Sequence, residues 1–133
     1  FGSLHHDRGD LDAALTHCRL ALPLLQATGD KNGHATTLNN IGSVHHDRGD
    51  LDTALTHYHQ ALALFQEVGN RREQAVMHGN IALVLHAQGD LRGAVDHLRQ
   101  AVDLGRQTQH PDLEIFTEFL RPAERELRGE DRP

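Results

Sequence analysis

Residues 2–17 read GSLHHDRGDLDAALTH, and residues 42–57 read GSVHHDRGDLDTALTH. The two stretches differ at only two positions, and each residue of the first corresponds to one of the second, Gly2 to Gly42 and so on. The match continues without a gap over 1–40 and 41–80, and residues 81–104 keep the same frame with weaker identity. Self-similarity at a fixed period is typical of repeat architectures, in which each unit buries its apolar face by stacking on its neighbours.

A shorter period, half as long, lies inside the repeat and is marked by glycine followed by Asp or Asn. Glycine suits the left-handed residue just beyond a helix C-terminus, and Asp or Asn suits the N-cap of the next helix. Each pair therefore predicts that one helix ends and the next begins almost at once. The pairs stand at 9–10, 29–30, 49–50, 69–70 and 89–90.

These boundaries predict a series of helices, each about 18 residues long, of which the first is truncated. The same phase puts Pro111 at the first position of the last helix, where its missing N–H costs nothing. Pro122 cannot sit unperturbed in a continuous helix, so we expect a break there, followed by a short turn. The helices are expected at about 1–8, 11–28, 31–48, 51–68, 71–88, 91–108 and 111–120.

Apolar residues recur at helical spacing throughout the repeats. Helices with such stripes must bury them against their neighbours, so the sequence predicts an all-α fold of antiparallel helix pairs. Over 51–68 the stripe consists of Leu51, Ala54, Leu55, Tyr58, Ala61, Leu62 and Phe65. We expect repeat units of about 1–30, 31–70 and 71–108, a capping helix with a break over 109–128, and a tail over 129–133.

A small residue stands seven places before the turn glycine of each unit, as Gly2, Gly42 and Ala82. With the alanines that follow each turn, this pattern resembles the tetratricopeptide repeat (TPR). Units of about 40 residues are similar to those of kinesin light chain. Residues 61–75 and 82–104 look like the C-terminal arrays of bacterial NB-ARC regulators. The resemblance implies a right-handed superhelix, an α-solenoid, of about three TPR units and a C-terminal capping helix.

The resemblance also implies where a partner would bind. Stacked helix pairs leave a concave groove, and the first helix of each pair lines it in this family. Asn39 and Asn40 resemble the asparagines with which kinesin light chain repeats hold a peptide backbone; alternatively, such amides hydrogen-bond within the repeat stack. The expected groove residues are Ser3, His6, Asp7, Thr36, Asn39, Asn40, Ser43, His46, Asp47, Leu83 and His86.

Composition and motifs argue against several function classes. The net charge of −6 disfavours nucleic acid, because phosphate binding needs a basic stripe. The sequence has no long apolar run that would predict a membrane span, and no nucleophile–base pair or phosphate loop that would indicate an enzyme. Of the twelve histidines, His6, His46 and His86 occupy equivalent repeat positions about 10 Å apart, and so do His17, His57 and His97, so we expect no metal and no other cofactor. The single Cys18 is consistent with a reducing, cytoplasmic location.

Two functions remain open. The leading hypothesis is a protein–protein interaction scaffold that binds a peptide or a partner domain in the groove, as part of a larger bacterial regulatory protein. The alternative is self-association, because the chain begins inside a predicted helix and would expose the apolar end on which an earlier repeat would stack. In that case two copies would form a homodimer through the truncated end.

Overall fold

Six α-helices make up the part of the chain that the computed structural model describes, residues 8–130. The all-α prediction is confirmed, and those of the described residues that lie outside the helices form turns and short connections. Four of the six helices agree with the expected bounds to within one residue. The elements are α1 (Arg8–Thr28), α2 (Lys31–Asp47), α3 (Leu51–Glu67), α4 (Arg71–Ala87), α5 (Leu91–Thr108) and α6 (Leu113–Glu130).

The turns between helices use the predicted chemistry. Gly89, like the glycines of the three turns before it, has a positive φ, of 84°, which favours glycine. Asp90 then caps α5, since its carboxylate accepts the N–H of Gly93 at 3.0 Å. Asp50 is an exception, because its side chain makes no cap hydrogen bond and instead lies 3.5 Å from His45 Nδ1. The cap preference at that position is therefore not realised as predicted.

The start of α1 differs from the expectation. Helix α1 begins at Arg8, so the pair at 9–10 lies inside a helix and the boundary predicted there is wrong. Glycine permits a left-handed turn but does not require one, and within a helix it costs only about 1 kcal/mol. The remainder of the helix expected over 1–8 lies outside the described residues.

The C-terminal helix also differs. Pro111 lies in a turn, α6 begins at Leu113 rather than at Pro111, and the break expected near Pro122 is absent, since α6 runs through it to Glu130. The helix continues because Leu120, Ala123 and Leu127 all pack on the apolar cluster between α4 and α5, which outweighs one missing hydrogen bond. The tail expected at 129–133 is thus helical at its first two residues, and 131–133 lie outside the described part.

The chain divides into two compact units, the first ending at Val68 and the second beginning at Gly69. In the first unit α2 packs on both α1 and α3. Helices α2 and α3 run antiparallel, with Gly42 so close to the Tyr58 ring that a Cβ atom there would approach it to 2.9 Å. Tyr58 is 2% exposed, and burying an aromatic ring of this size contributes about 1.5–3 kcal/mol.

The second unit packs α5 between α4 and α6. Phe116 of α6 lies against Gly79, where a Cβ atom would come within 3.1 Å of its ring, and also near Gly105 of α5. A side chain at Gly79 would require the Phe116 ring to shift by a few tenths of an ångström, so glycine suits this position. The ring is buried in a cluster with Ala75, Ala101 and Val102, so this unit has its own apolar core.

Candidate partner-binding surfaces

The first candidate surface lies on α2 in the first unit. Six predicted groove residues stand on this helix, and at helical spacing most of them share one side of it. Thr36 and Asp47 are exposed, whereas the four between them are half-buried. The predicted residues of this helix are Thr36, Asn39, Asn40, Ser43, His46 and Asp47.

Ser43 has a role that the sequence did not reveal. Its Oγ atom lies 3.0 Å from the Tyr58 hydroxyl oxygen, so the two side chains share a hydrogen bond between α2 and α3. Burial raises the pKa of the Tyr58 phenol, the hydrogen bond with Ser43 lowers it, and the negative charge of Asp47 raises it again. Two predicted groove residues, Ser43 and Asp47, therefore influence the pKa of the buried Tyr58 phenol in the same unit.

The second candidate surface is an apolar cleft in the second unit, between α4 and α6 and floored by α5. Its volume is about 190 Å³. Four of its lining residues are buried, and three of these are alanines, whose small side chains leave the space that larger residues would fill. The lining residues are Ala82, Leu83, His86, Ala94, Leu98, Phe119, Pro122, Ala123 and Glu126.

Leu83 and Phe119 form the apolar edges of this cleft. They are 39% and 50% exposed and belong to the few large apolar side chains that are exposed among the described residues. Beside them, His86 Nε2 lies 3.9 Å from Glu126 Oε2, which is too long for a hydrogen bond. The cleft thus combines an apolar interior with one imidazole and one carboxylate at its mouth, both exposed.

The repeats of this chain match a known protein family. The family model for the tetratricopeptide repeat matches residues 1–54 and 33–107. The chain belongs to the tetratricopeptide repeat family. Such repeats generally mediate protein–protein interaction, and the family is a non-catalytic repeat scaffold.

A solved structure shares the fold of this TPR chain. The crystal structure of BtubC (BKLC) from P. vanneervenii is similar with a TM-score of 0.76 and 22% sequence identity. The similarity covers 88% of this chain and 50% of BtubC, so the TPR chain spans about half the length of that protein. At this identity the likeness shows the fold alone. None of the curated proteins matches the chain.

The structure brings together two of the predicted TPR groove residues, Leu83 and His86, and adds three that the sequence analysis missed. Pro122 and Glu126 were missed because a break and a turn were expected from Pro122 onward. Phe119 lies in the helix expected over 111–120, but its contact with the α4 side of the cleft depends on packing that the sequence does not show. The spacing of these three residues at i, i+3 and i+7 along α6 would have indicated one helical face, had the helix been continued through the proline. Ser3, His6 and Asp7 lie outside the described residues.

Other features of the TPR chain limit what these surfaces hold. Within residues 8–130, no three His, Cys, Asp or Glu side chains are grouped so that they could hold a metal ion. The described helices include none that is both long and apolar enough to cross a membrane. The free thiol of Cys18 is half-buried beside the apolar cluster of α1 and α2, and burial raises its pKa.

Proposed function

We propose that this TPR chain is a protein–protein interaction module that holds a polypeptide segment against the first helices of its repeats. The observation that carries the proposal is the apolar cleft between α4 and α6, with Leu83 and Phe119 exposed at its edges. Contiguous exposed apolar surface with a polar rim is typical of interaction sites. A side chain that enters this cleft would remove both edges from water.

The size of the cleft favours a polypeptide over a small-molecule ligand. Its volume of about 190 Å³ lies below the range of about 300–1,000 Å³ that is usual for pockets that enclose a cofactor or a drug-sized molecule. The cleft is large enough for one apolar side chain of a bound segment. Helices and peptides that bind in grooves commonly insert such anchor side chains. The small volume of the cleft therefore supports the proposal.

The polar face of α2 supports a second contact in the first unit. Thr36, Asn39 and Asn40 present hydroxyl and amide groups along the helix, and a primary amide can pair with both the N–H and the C=O of a peptide unit. This face would hold the backbone of a bound segment and set little sequence preference. We further propose that the chain serves a larger bacterial regulatory protein, on the strength of its similarity to the NB-ARC arrays over 61–75 and 82–104.

The test is a matched pair of surface substitutions. Leu83→Glu places a charge at the edge of the cleft, and Leu24→Glu places the same charge on α1, where Leu24 is 70% exposed. Peptides selected from a displayed random library against the whole chain should lose binding to Leu83→Glu and keep it for Leu24→Glu. Circular dichroism should show unchanged helix content in both. Equal affinity for Leu83→Glu and the unchanged chain would refute the proposal.

Self-association is a second candidate function, favoured by a separate observation. Leu20 and Leu24 lie one helical turn apart on α1 and are 67% and 70% exposed, which is unusual for leucine in a helical repeat. A second copy that packed on them would bury this pair. Sedimentation of the unchanged chain should then show a dimer that dissociates in Leu24→Glu and persists in Leu83→Glu. A monomer at high concentration would eliminate this alternative.

A further inference from the structure

The mouth of the α4–α6 cleft is electrostatically asymmetric. His86 stands in the last turn of α4, and Glu126 stands on α6. Since their side chains are 3.9 Å apart, the C-terminal end of α4 lies at this mouth beside the carboxylate of Glu126. A helix C-terminus carries a partial negative charge, so the end of α4 reinforces that carboxylate.

Along α6, the residues on the cleft side form a narrow stripe. At about 100° per residue, Ile115, Phe119, Pro122 and Glu126 fall within an arc of about 60°. Three of them are apolar, and Ile115 is 49% exposed, so the stripe extends beyond the cleft. Glu126 is its only charged member, at the C-terminal end of the stripe. The arginines of α6 stand on other sides of the helix by the same spacing.

Glu126 is available to a partner. Its side chain is 59% exposed, and its separation from His86 exceeds hydrogen-bonding distance. A cation of an incoming segment would meet this carboxylate and the C-terminal end of α4, both of favourable sign.

Pro122 brings no hydrogen-bond donor to the cleft. It has no N–H, and its ring forms part of the cleft wall. Among the described side chains of the wall, Glu126 offers a carboxylate acceptor, and His86 is the one strong donor.

We infer that the cleft selects a polypeptide segment that carries one aliphatic anchor side chain next to a lysine or arginine, with the anchor in the apolar interior and the cation on Glu126. This inference rests on the proposed function and gives it a partner chemistry. The chain as a whole has a net charge of −6, which favours the approach of a basic segment. An acidic segment would meet repulsion from the carboxylate and from the C-terminal end of α4.

The experiment uses the whole chain and a displayed library of random twelve-residue peptides. The sequences selected should share an aliphatic residue close to Lys or Arg. A synthetic consensus peptide, and versions of it with the basic residue changed to Gln or to Glu, are then titrated by fluorescence anisotropy. The protein variants are Glu126→Lys and, as a control with the same change of net charge elsewhere on α6, Glu114→Lys.

We expect Glu126→Lys to lower the affinity for the basic peptide by about tenfold, because the ion pair at the rim is replaced by repulsion. The same variant should bind the Glu peptide more tightly, because the new lysine attracts it. Glu114→Lys should change either affinity by less than about twofold, because screening by salt limits more distant charges. Added salt should lower the affinity of the unchanged chain for the basic peptide, and it should not lower that of Glu126→Lys.

Other results would overturn the inference. A consensus without basic residues, or equal effects of Glu126→Lys and Glu114→Lys, would refute the preference for a basic segment. If Leu83→Glu still abolished peptide binding in that case, the proposed function would stand. A dimer of the unchanged chain that Glu126→Lys dissociates would identify a second copy as the occupant instead. If no peptide binds at all, the proposed function fails together with the inference.

Discussion

The Nδ1 atoms of His78 and His97 lie 2.9 Å apart, within a pair of imidazole rings whose centroids are 5.1 Å apart. This contact joins α4 to α5 inside the second unit, and His78 is 4% exposed. One Nδ1 must donate a proton and the other must accept it, so the hydrogen bond requires at least one neutral ring. A proton on both facing nitrogens would break the bond and set two like charges against each other.

The His78–His97 contact predicts an acid-sensitive stability. The unfolded chain can bind protons at both rings, so the free energy of unfolding should fall as pH decreases from about 7.5 to about 5.5. The contribution of the pair should be about 1 kcal/mol, which is typical of one hydrogen bond. Urea unfolding at a series of pH values would measure this slope in the unchanged chain and in His97→Gln.

The slope should be shallower in His97→Gln, because glutamine stays neutral at every pH. His17→Gln is the matched control, since His17 occupies the equivalent repeat position but is exposed. Its slope should equal that of the unchanged chain. Identical slopes for all three proteins would contradict the prediction.

Tyr58 can be titrated by itself, because the chain has one tyrosine and no tryptophan. Burial raises the pKa of its phenol above the ordinary value of about 10. Since the neutral phenol is favoured in the folded state, stability should be lost as pH rises from about 10 through the raised value. Near-ultraviolet phenolate absorbance should report a higher pKa in the folded chain than in denaturant.

Two substitutions should move the pKa of Tyr58 in opposite directions. Asp47→Asn removes a negative charge and should lower the pKa, whereas Ser43→Ala removes the hydrogen bond and should raise it. Asp52→Asn, on α3, is a control of the same chemistry. Shifts of the same sign in Asp47→Asn and Ser43→Ala would mean that the two groups do not act on the phenol as described.

A side chain at Gly89 should lower the stability of the fold because of the backbone conformation alone. Its φ is 84°, and a Cβ atom built there would meet nothing within 4 Å. Gly89→Ala should therefore lower the free energy of unfolding by about 1–2 kcal/mol, the usual cost of a left-handed residue with a Cβ. Gly129→Ala, in the last turn of α6 and equally open, should cause no loss. Denaturant titration would detect the difference, and equal stability of both variants would count against it.

Pro122 should weaken the fold and support binding. Pro122→Ala restores an N–H that can bond to the carbonyl of Glu118, so stability should rise by about 1–3 kcal/mol. The same change removes the proline ring from the cleft wall and should lower the affinity for the peptides selected against the chain. Pro23→Ala, at the proline inside α1, should also raise stability but leave peptide affinity unchanged. Weaker binding in Pro23→Ala as well would show that the effect is not local to the cleft.

The helices and their turns could be read from the sequence because they depend on neighbours in the chain. Gly89 and Asp90 end one helix and cap the next through contacts that reach no more than about four residues. The same local rules were misleading at 9–10 and at Pro122. At Pro122 the burial of Ala123 against another helix outweighs the local cost, and no local pattern contains that information.

The sequence by itself determined the all-α class, the repeat period and the ends of four helices, because each follows from spacing along the chain. Membership of the tetratricopeptide repeat family follows from the match of the sequence to the family model. Only the tertiary structure decided which side chains meet. It joined Leu83 to Phe119 across a cleft, Ser43 to Tyr58, and His78 to His97. These contacts depend on how helices pack face to face, and the free energy of that packing comes from side chains distant in sequence.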